Sequence, residues 1–294
     1  MIETYLNTIQ KLSAKRGLTN VEKKRLEKDL QAVSERLQKK EYQKGGFSMN
    51  KFDVPDRTRE FYVYLQFYCL IGKTWAAVLN ELHIEKYKEI VDLCPGYTPK
   101  IELALFYLKY KGKLTILDKD RNAMNELEKF LALFEPQYTI NKKTVDMFRS
   151  RAKKYKMVLA NHIVDDLVID YFSSKWSISS HDLYEKEGQF QALWQRVLEH
   201  EQDHYVEILP QIVRALEGYV ETKGWICITH YKSYMEKLLD LENATRFTRK
   251  LLKGVIAELI KKGFKNHEEI PAKAFKKFRG HFGPRDCFVL QKLV

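Results

Sequence analysis

The chain has 294 residues, of which 45% are hydrophobic and 31% charged, and it carries a formal net charge of +12. This apolar content is enough to build folded cores and excludes a wholly disordered chain. Only 13 glycines and 7 prolines occur, which favours helices over a turn-rich β architecture.

Length and cysteine usage set two further expectations. A chain of this size favours two domains. Its four cysteines lie far apart without a CxxC pair, which argues against a zinc module or a disulfide scaffold and indicates a reducing, cytoplasmic location. The most apolar stretch, residues 61–72, is shorter than the roughly 20 residues that span a bilayer, so no membrane partner is expected.

Residues 20–44 are predicted to form the first long helix. Thr19 and Glu22 have the spacing of a capping box, in which both side chains bind free backbone N–H groups. Apolar side chains follow at three- and four-residue steps, at Leu26, Leu30, Val33 and Leu37. Such a stripe packs against the rest of the domain, a protein partner or a second copy of the chain. The sequence therefore allows a protein partner or a homodimer through residues 20–44.

Two further helices are predicted at 57–71 and 74–93. Gly72-Lys73-Thr74 between them is similar to the end of a phosphate-binding loop, but that motif needs a glycine where Phe67 stands. No nucleotide site is therefore assigned here.

Residues 98–157 predict three helices, at 100–110, 121–134 and 141–157, with a short strand at Leu114–Leu117. The third helix is strongly basic, and a cationic helix suits a nucleic-acid backbone. Its candidate phosphate contacts are Lys142, Lys143, Arg149, Arg151, Lys153, Lys154 and Lys156.

A family resemblance lies in the same segment. It is carried by Lys100, Glu102-Leu103, Gly112, Asn125-Glu126-Leu127, Phe130, Phe134, Arg149 and Arg151. This order resembles the carboxy-terminal part of the RteC family, regulators of conjugative-transposon excision. The resemblance covers residues 98–151 and implies a winged-helix-like DNA-binding domain. In that family the domain lies near the end of the chain, whereas here residues 152–294 follow.

The second half of the chain also reads as helical. Helices are predicted at 155–172, at 181–222 with an interruption near Pro210, at 225–241 and at 244–263, with residues 173–180 as a linker and Gly263 as a C-cap. The last helix and the tail 271–285 are basic and predict a second phosphate contact. Its candidate residues are Arg246, Arg249, Lys250, Lys276, Lys277 and Arg279.

Histidines offer an alternative chemistry. His200 and His204 belong to an HExxH pattern, which places two zinc ligands on one helix face. A wider set is similar to the ligand spacing of the hemerythrin-like family, which holds two irons in a four-helix bundle: His181, Glu185, His200, His204 and His230. The favoured interpretation is that these histidines are solvated positions on charged helices, so neither a metal nor a cofactor is expected.

Together these patterns predict a mostly α-helical protein with domains at 1–172 and 181–294, separated by a break within 172–180. The favoured function is a non-enzymatic, nucleic-acid-binding regulator or accessory protein of a mobile element or phage, with DNA as the expected ligand. The alternatives are a helical protein–protein interaction or scaffold module, and a metal-binding helical bundle. No catalytic residue is assigned.

Overall fold

The computed structural model describes residues 19–21, 24, 57–131, 136–149, 153–179, 183, 188–232, 241–278 and 280–294. The chain divides into two compact units, Met1–Leu70 and Ile71–Val294. The predicted partner segment 20–44 lies almost wholly outside the described residues. Within the described part of the chain, no helix combines the length and apolar character needed to cross a membrane.

Helices and strands alternate along the second unit. The described helices are α1 (Arg57–Glu81), which begins in the first unit, α2 (Ile101–Tyr107), α3 (Arg121–Leu131), α4 (Ile163–Lys175), α5 (Gln189–Glu199), α6 (Glu201–Tyr219), α7 (Glu242–Lys261) and α8 (Glu269–Lys277). The described strands are β1 (Glu89–Leu93), β2 (Lys113–Asp118), β3 (Thr139–Thr144), β4 (Tyr155–Asn161), β5 (Val220–Thr229), β6 (Phe264–Asn266) and β7 (Cys287–Lys292).

The strands form one seven-stranded sheet in the order β3-β2-β1-β4-β5-β7-β6. Strands β1 to β5 are parallel to one another, whereas β7 runs antiparallel to both β5 and β6. The chain moves outward from β1 to β3 and then returns to place β4 on the other side of β1. The strand order therefore reverses between β1 and β4, the place where open α/β sheets bind ligands.

The central strands of the sheet are buried on both faces. Val158 and Ala160 of β4 belong to a core shared with helices α4 to α7, while the alternate residues Met157 and Leu159 are fully buried as well. Because a strand covered on both sides is apolar at every position, its sequence loses the period-two signal of a half-exposed strand.

The prediction of a mostly α-helical protein is wrong for this reason. The strands at 89–93, 155–161 and 220–229 were predicted as helix, because a short apolar run cannot be distinguished from a buried helix by periodicity alone. Within the predicted basic helix 141–157, residues 141–144 belong to β3 and residues 155–157 to β4.

The prediction of a winged-helix-like segment is also wrong. Its predicted strand at Leu114–Leu117 is confirmed as part of β2, but β2 and β3 are parallel members of the central sheet and form no hairpin. The resemblance of residues 98–151 to the RteC family itself stays a prediction. The predicted break at 172–180 does not coincide with the boundary at Leu70, and β4 and β5 on its two sides pair directly.

Two details of the helical prediction can be compared with the structure. Helix α7 and the positive φ of 88° at Gly263 confirm the helix predicted at 244–263 and its C-cap. The interruption predicted near Pro210 is wrong, because α6 continues through Pro210 and the break falls at His200 instead.

Candidate functional site

The polar residues of this sheet gather where parallel strands end, at the reversal of strand order. Residues Cys94–Gly96 follow β1, Asp118–Asp120 end β2, Asn161–His162 end β4, and Thr229–Tyr231 end β5. Because β1, β2, β4 and β5 are parallel, these four ends lie along one edge of the sheet. This edge is the candidate functional site.

The turn after β1 approaches the end of β2 closely. Cys94 and Gly96 have φ values of 53° and 62°, in the left-handed region that a non-glycine residue such as Cys94 seldom adopts. The Gly96 N–H donates to Asp118 Oδ2 at 3.0 Å, which fixes the turn against β2. A Cβ placed on Gly96 would meet no atom within 4 Å, so open space lies beside the turn.

Asp118 is the best-placed ligand acceptor of the edge. It is 7% exposed, and burial raises the pKa of its carboxyl group. Its two oxygens accept one backbone N–H each, from Gly96 at 3.0 Å and from Asp120 at 2.9 Å. Since a carboxylate offers about four lone-pair sites, Asp118 keeps capacity for two further donors such as ligand hydroxyls.

Asp120 begins helix α3. Its Oδ1 accepts the N–H groups of Asn122 at 2.8 Å and Ala123 at 3.0 Å, which satisfies donors that the first helical turn leaves unpaired. The hydroxyl of Tyr97 donates to Oδ2 at 3.2 Å. Asp120 therefore ties the turn after β1 to the start of α3.

A pair of buried carboxyl groups lies beneath the edge. Asp92 is 1% exposed and Glu102 is fully buried, and burial raises the pKa of both groups, that of Asp92 the more strongly. Glu102 Oε2 accepts the Lys100 N–H at 3.0 Å, which favours its ionised form. We therefore assign the proton to Asp92, which donates it to Glu102 and so links β1 to α2.

The end of β4 is held by a hydrogen-bonded network. Asn161 Oδ1 accepts from Trp75 Nε1 at 2.8 Å, Thr229 Oγ1 at 3.2 Å and the Tyr231 hydroxyl at 3.2 Å. Its Nδ2 group lies 3.1 Å from the same hydroxyl. A side chain with so many buried partners is fixed in one rotamer, so Asn161 orients the ends of β4 and β5.

The next residue brings a second set of side chains together. His162 has a φ of 56°, and its Nδ1 lies 2.8 Å from Asp165 Oδ1. Its ring centroid is 4.7 Å from that of His230, which follows β5. One nitrogen or oxygen atom from each of His162, Asp165 and His230 lies within 4.8 Å of the other two.

Of the basic residues predicted on 141–157, Lys142 and Lys143 lie on β3 and Lys156 lies on β4. Lys142 contacts Glu128, Arg149 lies 3.4 Å from Asp146, and Lys153 lies 2.5 Å from Glu89. Exposed lysines of this group are Lys143, Lys154 and Lys156, and Arg151 lies outside the described residues.

The second basic group lies on helices α7 and α8. Arg249, Lys250 and Lys277 pair with Asp286, Glu201 and Glu81 at 3.4, 3.0 and 2.6 Å. Arg246 and Lys276 are exposed, and Arg279 lies outside the described residues. A contact of these side chains with nucleic acid stays a prediction.

The prediction of a metal site in a helical bundle is wrong for those of its residues that the structure describes. His200 lies between α5 and α6, whereas His204 is buried and its Nδ1 lies 2.8 Å from the Val197 carbonyl oxygen, to which it donates. His230 lies at the end of a strand rather than in a helical bundle. His181 and Glu185 fall outside the described residues. Sequence analysis assigned no function to His162, Asp165 or Asp118. Asp118 and His162 come at the end of apolar strands, which was the available signal.

No protein-family model and no curated protein matches the chain. Among solved structures, the S-adenosylmethionine-dependent methyltransferase SibL in its apo form is similar with a TM-score of 0.46 and 12% identity, over 81% of this chain and 60% of that one. NSun6 from Pyrococcus horikoshii with SFG gives a TM-score of 0.43 and 14% identity, over 75% and 52%. The plantazolicin methyltransferase BpumL, in complex with a triazolic desmethylPZN analog and SAH, gives 0.42 and 13%, over 76% and 85%.

The chain thus spans 52% and 60% of the lengths of NSun6 and SibL. The favoured prediction, a non-enzymatic DNA-binding regulator, is wrong, because its basic recognition helix does not exist and the chain forms an open α/β sheet instead. The scaffold module and the metal-binding helical bundle are wrong for the same reason. The polar residues gathered at the reversal of strand order suit a ligand-binding site.

Proposed function

We propose that this chain is an S-adenosylmethionine-dependent methyltransferase. The observation that carries the proposal is the strand order β3-β2-β1-β4-β5-β7-β6 with β7 antiparallel. Dinucleotide-binding sheets have the order 3-2-1-4-5-6. An antiparallel seventh strand inserted beside the fifth is instead the arrangement found in the large class of methyltransferases that use this cofactor.

The residues at the ends of β1 and β2 fit the cofactor. Asp118 has acceptor capacity for the two ribose hydroxyls, and it lies 22 residues after Gly96, close to the spacing of about 20 that ribose-binding acids show in related sheets. The open space beside Gly96 leaves room for the cofactor next to the turn. The turn has one glycine where dinucleotide-binding loops have three, so its backbone follows a different path.

The same edge suits the charge of the cofactor. S-adenosylmethionine supplies a methyl group bound to a positively charged sulfur. Asp118 and Asp120 bring carboxyl groups to the edge, and attraction between opposite charges strengthens where water is partly excluded. At the end of β4, hydrogen bonds hold the Asn161 side chain in place. It would therefore present a rigid polar surface next to the position of the methyl acceptor.

Cofactor binding tests the proposal directly. Isothermal titration should show one S-adenosylmethionine or S-adenosylhomocysteine per chain. Asp118→Asn should weaken binding about 10- to 150-fold, since hydrogen bonds to a charged group contribute about 1.5–3 kcal/mol. Asp146→Asn is the matched control, because Asp146 also accepts the N–H two residues later, from Phe148 at 2.9 Å, but follows the edge strand β3. No binding by the unmodified chain, or equal losses in both variants, would refute the proposal.

Nucleic acid is the class of methyl acceptor that the charge supports. A net charge of +12 attracts polyanions, and such binding weakens steeply with salt. Transfer of a radiolabelled methyl group into RNA, DNA, protein or small molecules would identify the class. We expect RNA or DNA to be labelled and the labelling to decrease as the salt concentration rises. Labelling of small molecules alone would contradict this expectation. The free thiols of Cys94, Cys227 and Cys287 fit a reducing cytoplasm.

A further inference from the structure

We infer that His162, Asp165 and His230 form a binding site for one divalent transition-metal ion. These three residues lie where β4 and β5 end side by side, because Asn161 and Thr229 are register partners in the sheet. Two imidazoles and one carboxylate are a donor set that binds zinc, cobalt or iron(II) and leaves coordination positions open for other ligands. The inference does not depend on methyl transfer.

Hydrogen bonds fix the tautomer of His230. Its Nε2 lies 2.8 Å from Thr248 Oγ1. The Thr248 hydroxyl has one hydrogen, which it donates to the carbonyl oxygens of Ala244 and Thr245, each at 3.1 Å. Thr248 Oγ1 therefore accepts from His230, so Nε2 carries the proton and Nδ1 is the basic nitrogen.

The same reasoning applies to His162. Its Nε2 contacts the carbonyl oxygen of Tyr231, which can only accept, so Nε2 carries the proton there as well. A metal-binding histidine usually donates its second N–H to such a carbonyl or hydroxyl oxygen, which sets the ring orientation and raises its basicity. Both histidines thus have this outer partner in place.

The candidate ligand atoms of the three residues lie close together. His162 Nδ1 lies 2.8 Å from Asp165 Oδ1, and Asp165 Oδ1 is buried without a hydrogen-bond partner of suitable geometry. A nitrogen lone pair and a carboxylate oxygen repel each other at this distance unless a cation lies between them. The cation is either a proton, which would make His162 an imidazolium, or a metal ion.

The position of His230 favours the metal ion. A shared proton between His162 and Asp165 requires no third group, yet a donor atom of His230 lies within 4.8 Å of both. Ligands about 2.0–2.2 Å from a zinc ion lie roughly 3–3.6 Å from each other. Binding therefore requires His230 to approach the other two ligands by about an ångström.

Metal titration of the tag-free, full-length chain tests the inference without any methyl donor. After dialysis against a chelator, Co²⁺ should give visible absorption bands that saturate at one ion per chain, and Zn²⁺ should displace it. Mg²⁺ should not compete, because it prefers an all-oxygen shell.

Three variants separate the site from adventitious binding. Asp165→Asn should weaken Co²⁺ binding at least about tenfold, and Thr248→Val, which removes the outer partner of His230, about 10- to 100-fold. Glu269→Gln is the matched control, since Glu269 lies 2.7 Å from His267 Nδ1 in another part of the fold, and it should bind as the unmodified chain does. Thermal unfolding checks that each variant is folded.

Two results would overturn the inference. One is the absence of saturable binding at one ion per chain. The other is equal affinity of Asp165→Asn and Glu269→Gln, in which case a proton shared by His162 and Asp165 explains their contact. Failure of the methyltransferase proposal would leave both measurements unchanged.

Discussion

Replacing Asp92 by asparagine should stabilise the protein, and the gain should increase with pH. Burial raises the pKa of the Asp92 carboxyl well above its usual range, with further contributions from the neighbouring charges of Glu102 and Asp118, which Lys100 opposes. The folded state therefore holds a proton that the unfolded chain releases above about pH 4. An asparagine amide can donate to Glu102 in the same way without taking up that proton.

The sign and size of the effect follow from this difference in bound protons. A carboxyl group with a raised folded-state pKa contributes stability that is present below its unfolded pKa and is lost as pH rises toward its folded pKa. In that window one extra bound proton costs about 1.4 kcal/mol of unfolding free energy per pH unit. The advantage of Asp92→Asn over the unmodified chain should thus grow with pH between pH 5 and pH 6, by at most about 1.4 kcal/mol.

Urea unfolding at pH 5, 5.5 and 6, followed by circular dichroism, measures the advantage at each pH. If it stays constant across this range, Asp92 does not bind the extra proton. If Asp92→Asn is destabilising at every pH, the assignment of Asp92 as the donor to Glu102 is wrong.

Two further predictions concern packing around the site. Gly72→Ala should lower stability by about 1–3 kcal/mol in thermal unfolding, because its Cβ would lie 2.7 Å from the Cβ of Leu103 where α1 and α2 touch. Gly218→Ala, in helix α6 with nothing within 4 Å, should instead raise it by up to about 1 kcal/mol, and equal losses would contradict the close approach. Asn161→Ala should cost about 1–3 kcal/mol by leaving buried donors unpaired, with a change in the fluorescence of Trp75; an unchanged unfolding midpoint would refute the network.

The sequence predicts an element of this fold well when one face of that element is exposed to solvent and the other is buried. Helix α7 has a polar face and an apolar face, so its period of 3.6 is visible and its position is predicted well. Strand β4 is apolar at consecutive positions because helices cover both sides of the sheet. Its sequence therefore indicates burial without indicating the element, and a helix was predicted.

The sequence analysis did not find the candidate site because its residues are far apart in sequence and come together only through the pairing of the strands. Asn161 and Thr229 are 68 residues apart and become neighbours only when β4 pairs with β5. That pairing also brings His162 near His230, a relation that no spacing in the sequence contains. Lys142, a predicted phosphate contact, contacts Glu128 in the structure, and its contact with phosphate stays a prediction.

The central claim concerns which adenosyl or nucleotide cofactor the sheet binds. Isothermal titration of the full-length chain with S-adenosylmethionine and, separately, with NAD⁺ tests it most directly. The strand order and the fit of Asp118 predict saturable binding of one S-adenosylmethionine per chain and none of NAD⁺. Binding of NAD⁺ alone, or of neither compound, would contradict it.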